Sequence, residues 1–272
     1  MVRSRALAAG VGIALVAALI GLLGSAALFG GGDGGGFGPR PAGPRLSSLP
    51  EAAGGSTEFS PEAAQAGLPK GVSVIATARG RSARVYRRPK PDAHGRTLRP
   101  RRIEGQRIPL VFLVKRRRGD WVEAYLPTRP NLSAGWLRRR DVSLATTPYR
   151  IEVQLRRHRL VLFKRGRPML RTTIAKGRAV SPTPMGRYFV TDLLRPPDPA
   201  GFYGPYALGL SAHSRVYTSF ADGDGQVGLH GTNQPSVLGT DVSHGCIRVR
   251  NAVISRLARL VPLGTPVQIS RS

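Results

Sequence analysis

Val227-Gly228-Leu229-His230-Gly231-Thr232 and Val242-Ser243-His244-Gly245-Cys246-Ile247-Arg248 together hold the only cysteine of the 272-residue chain and two of its five histidines. Val227 to His230 reads as a short strand that ends on a histidine. A lone thiol beside two imidazoles suits nucleophilic chemistry, because cysteine attacks as thiolate and an adjacent imidazolium draws its pKa down from about 8.5. In an extended segment His244 and Cys246, two residues apart, emerge on the same face. His230, on a separate strand, reaches the sulfur from across the sheet, so His230 is the expected base and His244 the neighbour that orients the loop. Gly245 permits a tight backbone path that turns the Cys246 N–H, with its own, toward a developing oxyanion; Ser243 and Gly231 complete that supporting set. Arg248 is placed to bind a substrate carboxylate in a two-pronged fashion that lysine would match less well.

Other readings of these residues are blander. A lone cysteine is most often an inert buried hydrophobe. Zinc held by His230, His244 and Cys246 has the right ligand number for a catalytic site but no familiar spacing, so neither metal nor cofactor is expected. His94, His158 and His213 read as surface or packing histidines, with His213 the one considered for a cleft rim. One cysteine excludes an internal disulfide and a Cys-x-x-Cys site. Ser-x-x-Lys, Gly-x-Ser-x-Gly and His-Glu-x-x-His are all missing from the sequence.

Outward from the cysteine, residues 148–272 read as mainly β. Strands are expected at Arg150–Leu155, His158–Lys164, Met169–Ala175, Gly186–Asp192 and Val227–His230, with Pro266–Ser270 closing a sheet. One helix is legible: Asn251 is its expected N-cap, Ile254, Leu257 and Leu260 share a face, and Pro262 with Gly264 ends it.

Residues 71–147 offer short β-branched and aromatic runs bounded by Gly, Pro, Asn or Asp: Val72–Thr77, Ala83–Tyr86, Leu110–Val114, Trp121–Leu126, Gly135–Leu137 and Asp141–Leu144. The pattern is a small all-β barrel in which Trp121 and Trp136 pack as core or rim. Gly119-Asp120-Trp121-Val122-Glu123-Ala124-Tyr125-Leu126-Pro127 with Gly135-Trp136-Leu137 resembles the end of a bacterial SH3-like domain. Residues 30–70 are rich in Gly, Pro, Ala and Ser and read as a tether, spanning roughly 35 Å root-mean-square as a coil. Gly30, Gly32 and Gly35 fit a dinucleotide pattern formally, but no strand precedes them and no helix follows.

The amino terminus sets the compartment. After Arg3 and Arg5, Ala6 to Phe29 is almost wholly apolar, longer than the roughly 20 residues that span a bilayer. Residues 1–29 therefore read as an anchor or signal segment, Gly24-Ser25-Ala26 being a weak cleavage site. The flanking arginines put the folded part outside, at the extracytoplasmic face of the membrane or in the wall.

The formal charge is +27, with Lys+Arg 42 against Asp+Glu 15. Residues 71–147 carry 19 basic and 5 acidic side chains, and residues 148–272 carry 18 and 6, so the excess is shared as +14 and +12. Such a field attracts anionic partners. Export removes nucleic acid from the expected partners and leaves an anionic wall polymer or a membrane surface. The triplets Arg116–Arg118 and Arg138–Arg140 read as solvated faces.

The two quoted segments, with Ser181-Pro182-Thr183-Pro184-Met185-Gly186-Arg187-Tyr188 before a central strand, resemble the L,D-transpeptidase catalytic domain, the YkuD-like family, over residues 148–270. The resemblance implies a β-sandwich-like fold and acyl transfer on peptidoglycan stem peptides. Cys246 would attack the carbonyl between the L-centre of the diamino-acid stem residue and a terminal D-alanine, with His230 moving the proton. An amine acceptor would then resolve the thioester, cross-linking the wall or attaching a protein. Where one branch of the family carries asparagine two residues after the cysteine, this chain carries Arg248, as another branch does, which leaves donor-tail and acceptor open. A hydrolase that releases the same thioester to water is the alternative within catalysis, and a mainly non-catalytic basic wall-binding module the alternative outside it.

Overall fold

The computed structural model describes residues 68–91, 93–103, 106–219 and 223–272. The apolar segment Ala6–Phe29 and nearly all of the 30–70 tether lie outside the described residues. Among the described residues no helix is long and apolar enough to cross a membrane.

The first sheet is built from β1 (Ser73–Ala78), β2 (Ala83–Tyr86), β3 (Gly95–Leu98), β6 (Val111–Arg118), β7 (Trp121–Tyr125), β8 (Ala134–Arg138) and β9 (Val142–Thr147). Its order is β3-β2-β8-β7-β6-β1-β9, with β4 (Arg102–Ile103) and β5 (Gln106–Arg107) paired separately. Strand alternation buries Val74, Ala76, Val85, Phe112, Val114, Val122, Ala124 and Leu137 on one face. The sequence shows six of these strands within a few residues. It hides β3, whose Gly-Arg-Thr-Leu has no buried position.

The arginine triplets are less solvated than their charge suggests. Arg116 lies over the Trp136 ring at 5.2 Å and pairs with Glu123, while Arg138 lies over Tyr86 at 5.4 Å and Trp121 at 5.8 Å. A weakly hydrated planar guanidinium gains from such stacking where an ammonium would not. Trp136 is buried and Trp121 meets Tyr86 edge-on at 5.1 Å, so the two tryptophans divide as core and rim.

The second sheet contains β10 (Tyr149–Gln154), β11 (Arg159–Lys164), β12 (Arg167–Thr173), β14 (Gly186–Leu194), β15 (Ala207–His213), β16 (Gln226–His230), β18 (Ile247–Arg248) and β19 (Pro266–Ser270). Its order is β12-β11-β10-β19-β14-β15-β16-β18. A side pair joins β13 (Lys176–Gly177) to β17 (Asp241–Ser243). The last strand therefore enters the middle of the sheet, parallel to β10 and antiparallel to β14, rather than closing an edge. β15 escapes the sequence pattern because Gly209 and Ser211 interrupt its leucines; a Cβ at Gly209 would meet the Asp192 carboxylate at 2.2 Å.

The helix α1 (Asn251–Leu260) falls where its periodicity places it. Ile254 and Leu257 are fully buried, each worth roughly 1.5–3 kcal/mol of transfer free energy. The expected N-cap is corrected: Arg250 occupies that position without a side-chain cap, and the Asn251 Oδ1 accepts the Thr232 N–H at 2.8 Å instead. The asparagine thus ties the helix start to the loop that follows His230.

The two sheets share a small apolar seam of Val111, Leu113 and Phe189, lined further by Tyr125 and Leu263. Close approach continues at Gly264, where a Cβ would stand 2.3 Å from Ile75 Cγ2. The chain is mainly β with a single α-helix among the described residues.

Candidate active site

Two neighbouring strands bring the predicted residues together. β16 and β18 run parallel with Leu229 opposite Ile247 and His230 opposite Arg248. Cys246, just before β18, falls beside Gly228, whose N–H donates to Sγ at 3.4 Å. A Cβ at Gly228 would stand 3.8 Å from both Cys246 Sγ and His230 Cδ2. Gly228 thus touches both the sulfur and the imidazole of the site.

His230 is 1% exposed, and its Nδ1 donates to the Gly231 carbonyl at 2.6 Å. That bond places the ring proton on Nδ1 and leaves Nε2 as the acceptor. Nε2 is buried and meets no hydrogen-bond partner. A buried, unpaired ring nitrogen carries a desolvation cost that a merely structural histidine would avoid. Burial also pulls the His230 pKa down to about 4, despite the Gly231 carbonyl, and the Arg248 charge adds to the fall. Aromatic rings enclose it: Tyr203 edge-on at 4.8 Å and Phe202 at 5.8 Å.

Burial pushes the Cys246 thiol up, opposed by the Gly228 N–H and the Arg248 charge. Burial therefore works against the charged form of each group taken singly. Both groups are driven toward their neutral forms, because a water-poor pocket penalises each charge. An imidazole with a free Nε2 can take the thiol proton as the bond to carbon forms.

His244 is not on an extended segment with Cys246. The backbone bends at His244-Gly245 between β17 and β18, with Gly245 at φ 124°, a conformation that favours glycine. His244 is exposed; its Nε2 accepts from Arg178 Nη2 at 2.6 Å, and its ring meets Tyr217 edge-on at 5.6 Å. Partial burial and the Arg178 and Arg248 charges hold it below the usual histidine range. The two histidines thus differ in kind: one buried with a free acceptor nitrogen, one at the surface with that nitrogen occupied.

The turn is held by side chains. Ser243 Oγ accepts the Gly245 N–H at 3.0 Å and donates to the Cys246 carbonyl at 2.6 Å. Thr183 Oγ1 donates to the Gly245 carbonyl at 2.9 Å while accepting the Gly177 N–H at 3.0 Å. Gly245 is therefore not an oxyanion donor, since its N–H is spent on Ser243, whereas the Cys246 N–H takes no part in these contacts. Gly231 serves by its carbonyl, not its N–H, which points to Tyr206 O at 3.4 Å.

Arg248 is 6% exposed, with its guanidinium 4.2 Å over the Phe202 ring and a buried Nε without a hydrogen-bond partner. Its position beside the thiol is as expected, though it reaches the site as a stacked, largely buried cation. His213, considered for the rim, is instead buried at the junction of the two sheets and bonded to Asp224 at 3.0 Å. Phe202, Tyr203, Arg178 and Tyr217 were not marked by sequence reasoning; the dense Gly201-Phe202-Tyr203-Gly204-Pro205-Tyr206 run is the one signal that would have found the first two. Among the described residues no group of three or more His, Cys, Asp or Glu is arranged to hold a metal ion.

A buried strand-borne histidine with a free ring nitrogen beside a thiol is the class of site that nucleophilic cysteine chemistry requires. The family model of the L,D-transpeptidase catalytic domain, YkuD, matches residues 148–269. Bacillus licheniformis YkuD is 39% identical over 125 residues, 46% of this chain and 67% of that protein. Bacillus subtilis YkuD is 34% identical over 154 residues, covering 54% and 85%. An Enterococcus faecium L,D-transpeptidase of known structure is 26% identical over 45% of this chain and 50% of its own, with a TM-score of 0.35. The chain belongs to the L,D-transpeptidase catalytic-domain family.

Proposed function

We propose that this protein carries out cysteine-dependent acyl transfer on peptidoglycan stem peptides, with Cys246 as nucleophile and His230 as base. The observation that carries the reading is the unpaired, buried Nε2 of His230 on the strand whose Gly228 lies against Cys246 Sγ and the His230 ring. Nε2 takes the thiol proton as sulfur attacks the carbonyl before a terminal D-alanine. The C–N bond breaks, the proton passes to the departing amine, and a thioester remains on Cys246. An acceptor amine then attacks the thioester, giving its proton to Nε2 and restoring the thiol.

The Cys246 N–H is the oxyanion donor in this scheme, and the turn held by Ser243 and Thr183 sets its direction. Arg248 supplies positive charge to the thiolate and to the substrate carboxylate. The N-terminal sheet acts as an SH3-like domain, residues 71–147, that faces the anionic wall polymer or membrane surface with its +14 charge. Residues 1–29 tether the folded part to the outer face of the membrane through the 30–70 linker.

Defined stem tetrapeptides with and without an acceptor amine, analysed by mass, test the reading. Dimer with release of D-alanine is the expected product; trimmed monomer alone would make the chain a hydrolase. A carbapenem is expected to add its mass to Cys246, and no adduct on wild type, or an unchanged adduct in Cys246→Ala, would defeat the proposal.

A further inference from the structure

The loop between β7 and β8, in the N-terminal sheet, reaches across to both elements that flank the catalytic turn. Arg129 Nη1 donates to Ser214 O at 2.8 Å, and its Nη2 donates to Tyr217 O at 3.0 Å and Asp224 O at 2.8 Å. One guanidinium thus gathers three carbonyls from the two arms of the β15–β16 connection. Asn131 clamps the start of that connection: its Nδ2 donates to His213 O and its Oδ1 accepts the His213 N–H, both at 2.8 Å. The neck is closed tightly, because a Cβ at Gly225 would lie 1.9 Å from Tyr217 O and 2.9 Å from Arg129 Nη2. Leu132 of the same loop meets the other flank: a Cβ at Gly186 would stand 2.9 Å from Leu132 Cδ2, just beyond the Thr183-Pro184-Met185 turn.

What Arg129 holds at its centre is Tyr217, whose ring lies edge-on to His244, two residues from the thiol. We infer that Arg129 is a positioning residue for acylation of Cys246, acting from the N-terminal sheet through Tyr217 and His244. Fixing the Tyr217 carbonyl fixes the ring that backs the His244 side of the turn, so the wall of the site facing the incoming acyl donor is completed by a domain outside the family-matched region. Three charge-assisted bonds to these carbonyls suit a planar, five-donor guanidinium; a single ammonium cannot reach all three.

The inference rests on Cys246 as the acylated thiol, and the test separates the two. In the full described chain, the rate of carbapenem acylation at Cys246 is followed by mass for Arg129→Ala, Tyr217→Ala and the double variant. Each single change is expected to slow acylation about tenfold, as small misplacement of a reacting group does, and the double variant to be no slower than either single, because coupled residues are non-additive. Arg129→Lys stays slow, because one ammonium cannot hold all three carbonyls. The His244 ring signals in the NMR spectrum should move alike in Arg129→Ala and Tyr217→Ala, a readout that needs no turnover and that a general loss of stability would not reproduce. A product of the two single effects in the double variant, or a wild-type rate and unmoved His244 signals in Arg129→Ala, overturns the inference. An unacylated wild type would instead overturn the functional reading. Should Arg129→Ala fail to fold, Arg129→Lys and Tyr217→Ala carry the same comparison.

Discussion

The thiol sits between two flanks built in opposite ways. On the strand flank, β16 supplies His230 and Gly228 inside the sheet, where burial removes water, the Gly231 carbonyl fixes the tautomer, and Nε2 is left without a partner. On the turn flank, between β17 and β18, the shaping groups are tied to one another: His244 to Arg178, Gly245 to Ser243 and Thr183, Ser243 to the Cys246 carbonyl. The difference separates chemistry from placement. A group that moves a proton must keep an unfilled site, and only a rigid, dry strand can sustain that cost. A group that merely shapes the site is better saturated.

The comparison breaks first at His230. His230→Gln removes the proton acceptor, and kcat/KM is expected to fall about 10²–10⁴-fold, the range for loss of a positioned base. Little change in melting temperature should accompany it; a drop in stability as large as the drop in rate would make His230 a structural residue. The same flank predicts a pH dependence of stability. With the folded pKa at about 4 against 6.5 unfolded, the unfolded chain binds the proton first as pH falls. Stability is therefore full above about 6.5 and declines toward pH 4, by about 3 kcal/mol at 1.36 kcal/mol per unit. Denaturant titrations of wild type and His230→Gln should nearly coincide near neutral pH and separate as pH falls through that window, wild type losing stability that the variant keeps; parallel curves would remove the buried neutral imidazole from the account.

How much of this was legible follows the same division. The strands of the second sheet and α1 announce themselves through alternation and helical spacing, and the two motif segments bring Cys246, His230 and Arg248 together as read. β15 is hidden because Gly209 must yield to Asp192, a contact between residues far apart in sequence. The opposing pKa shifts of Cys246 and His230 are not readable from spacing, because a pKa depends on burial. The expectation that Gly245 adds its own N–H to that of Cys246 fails because Ser243 Oγ takes it, and the supporting Gly231 acts through its carbonyl while its N–H bonds Tyr206 O. Arg178 and Tyr217 reach His244, and Arg129 reaches Tyr217, from three separate segments of the chain that no local pattern connects.

The turn flank should respond through stability before rate. Ser243→Ala leaves the buried Gly245 N–H without its acceptor, which costs about 1–3 kcal/mol. Thermal or denaturant unfolding measures it, and a loss under a few tenths of a kcal/mol would mean that Ser243 does not hold the turn.

The smallest expected effect sharpens the contrast most. His244→Ala removes an exposed ring whose Nε2 is already occupied by Arg178, so no proton-transfer step is lost. Acylation should slow about tenfold, on the scale of a placement defect rather than of a missing base. The acid limb of the rate profile should stay where the His230 pKa puts it, because His230 is unchanged and His244 lies on the other side of the sulfur. A combined His230→Gln, His244→Ala variant should then show roughly the product of the two losses, since independent sites add in free energy. If His244→Ala alone instead moved the acid limb, or cost as much as His230→Gln, the surface histidine would share the proton and the division between the flanks would fail.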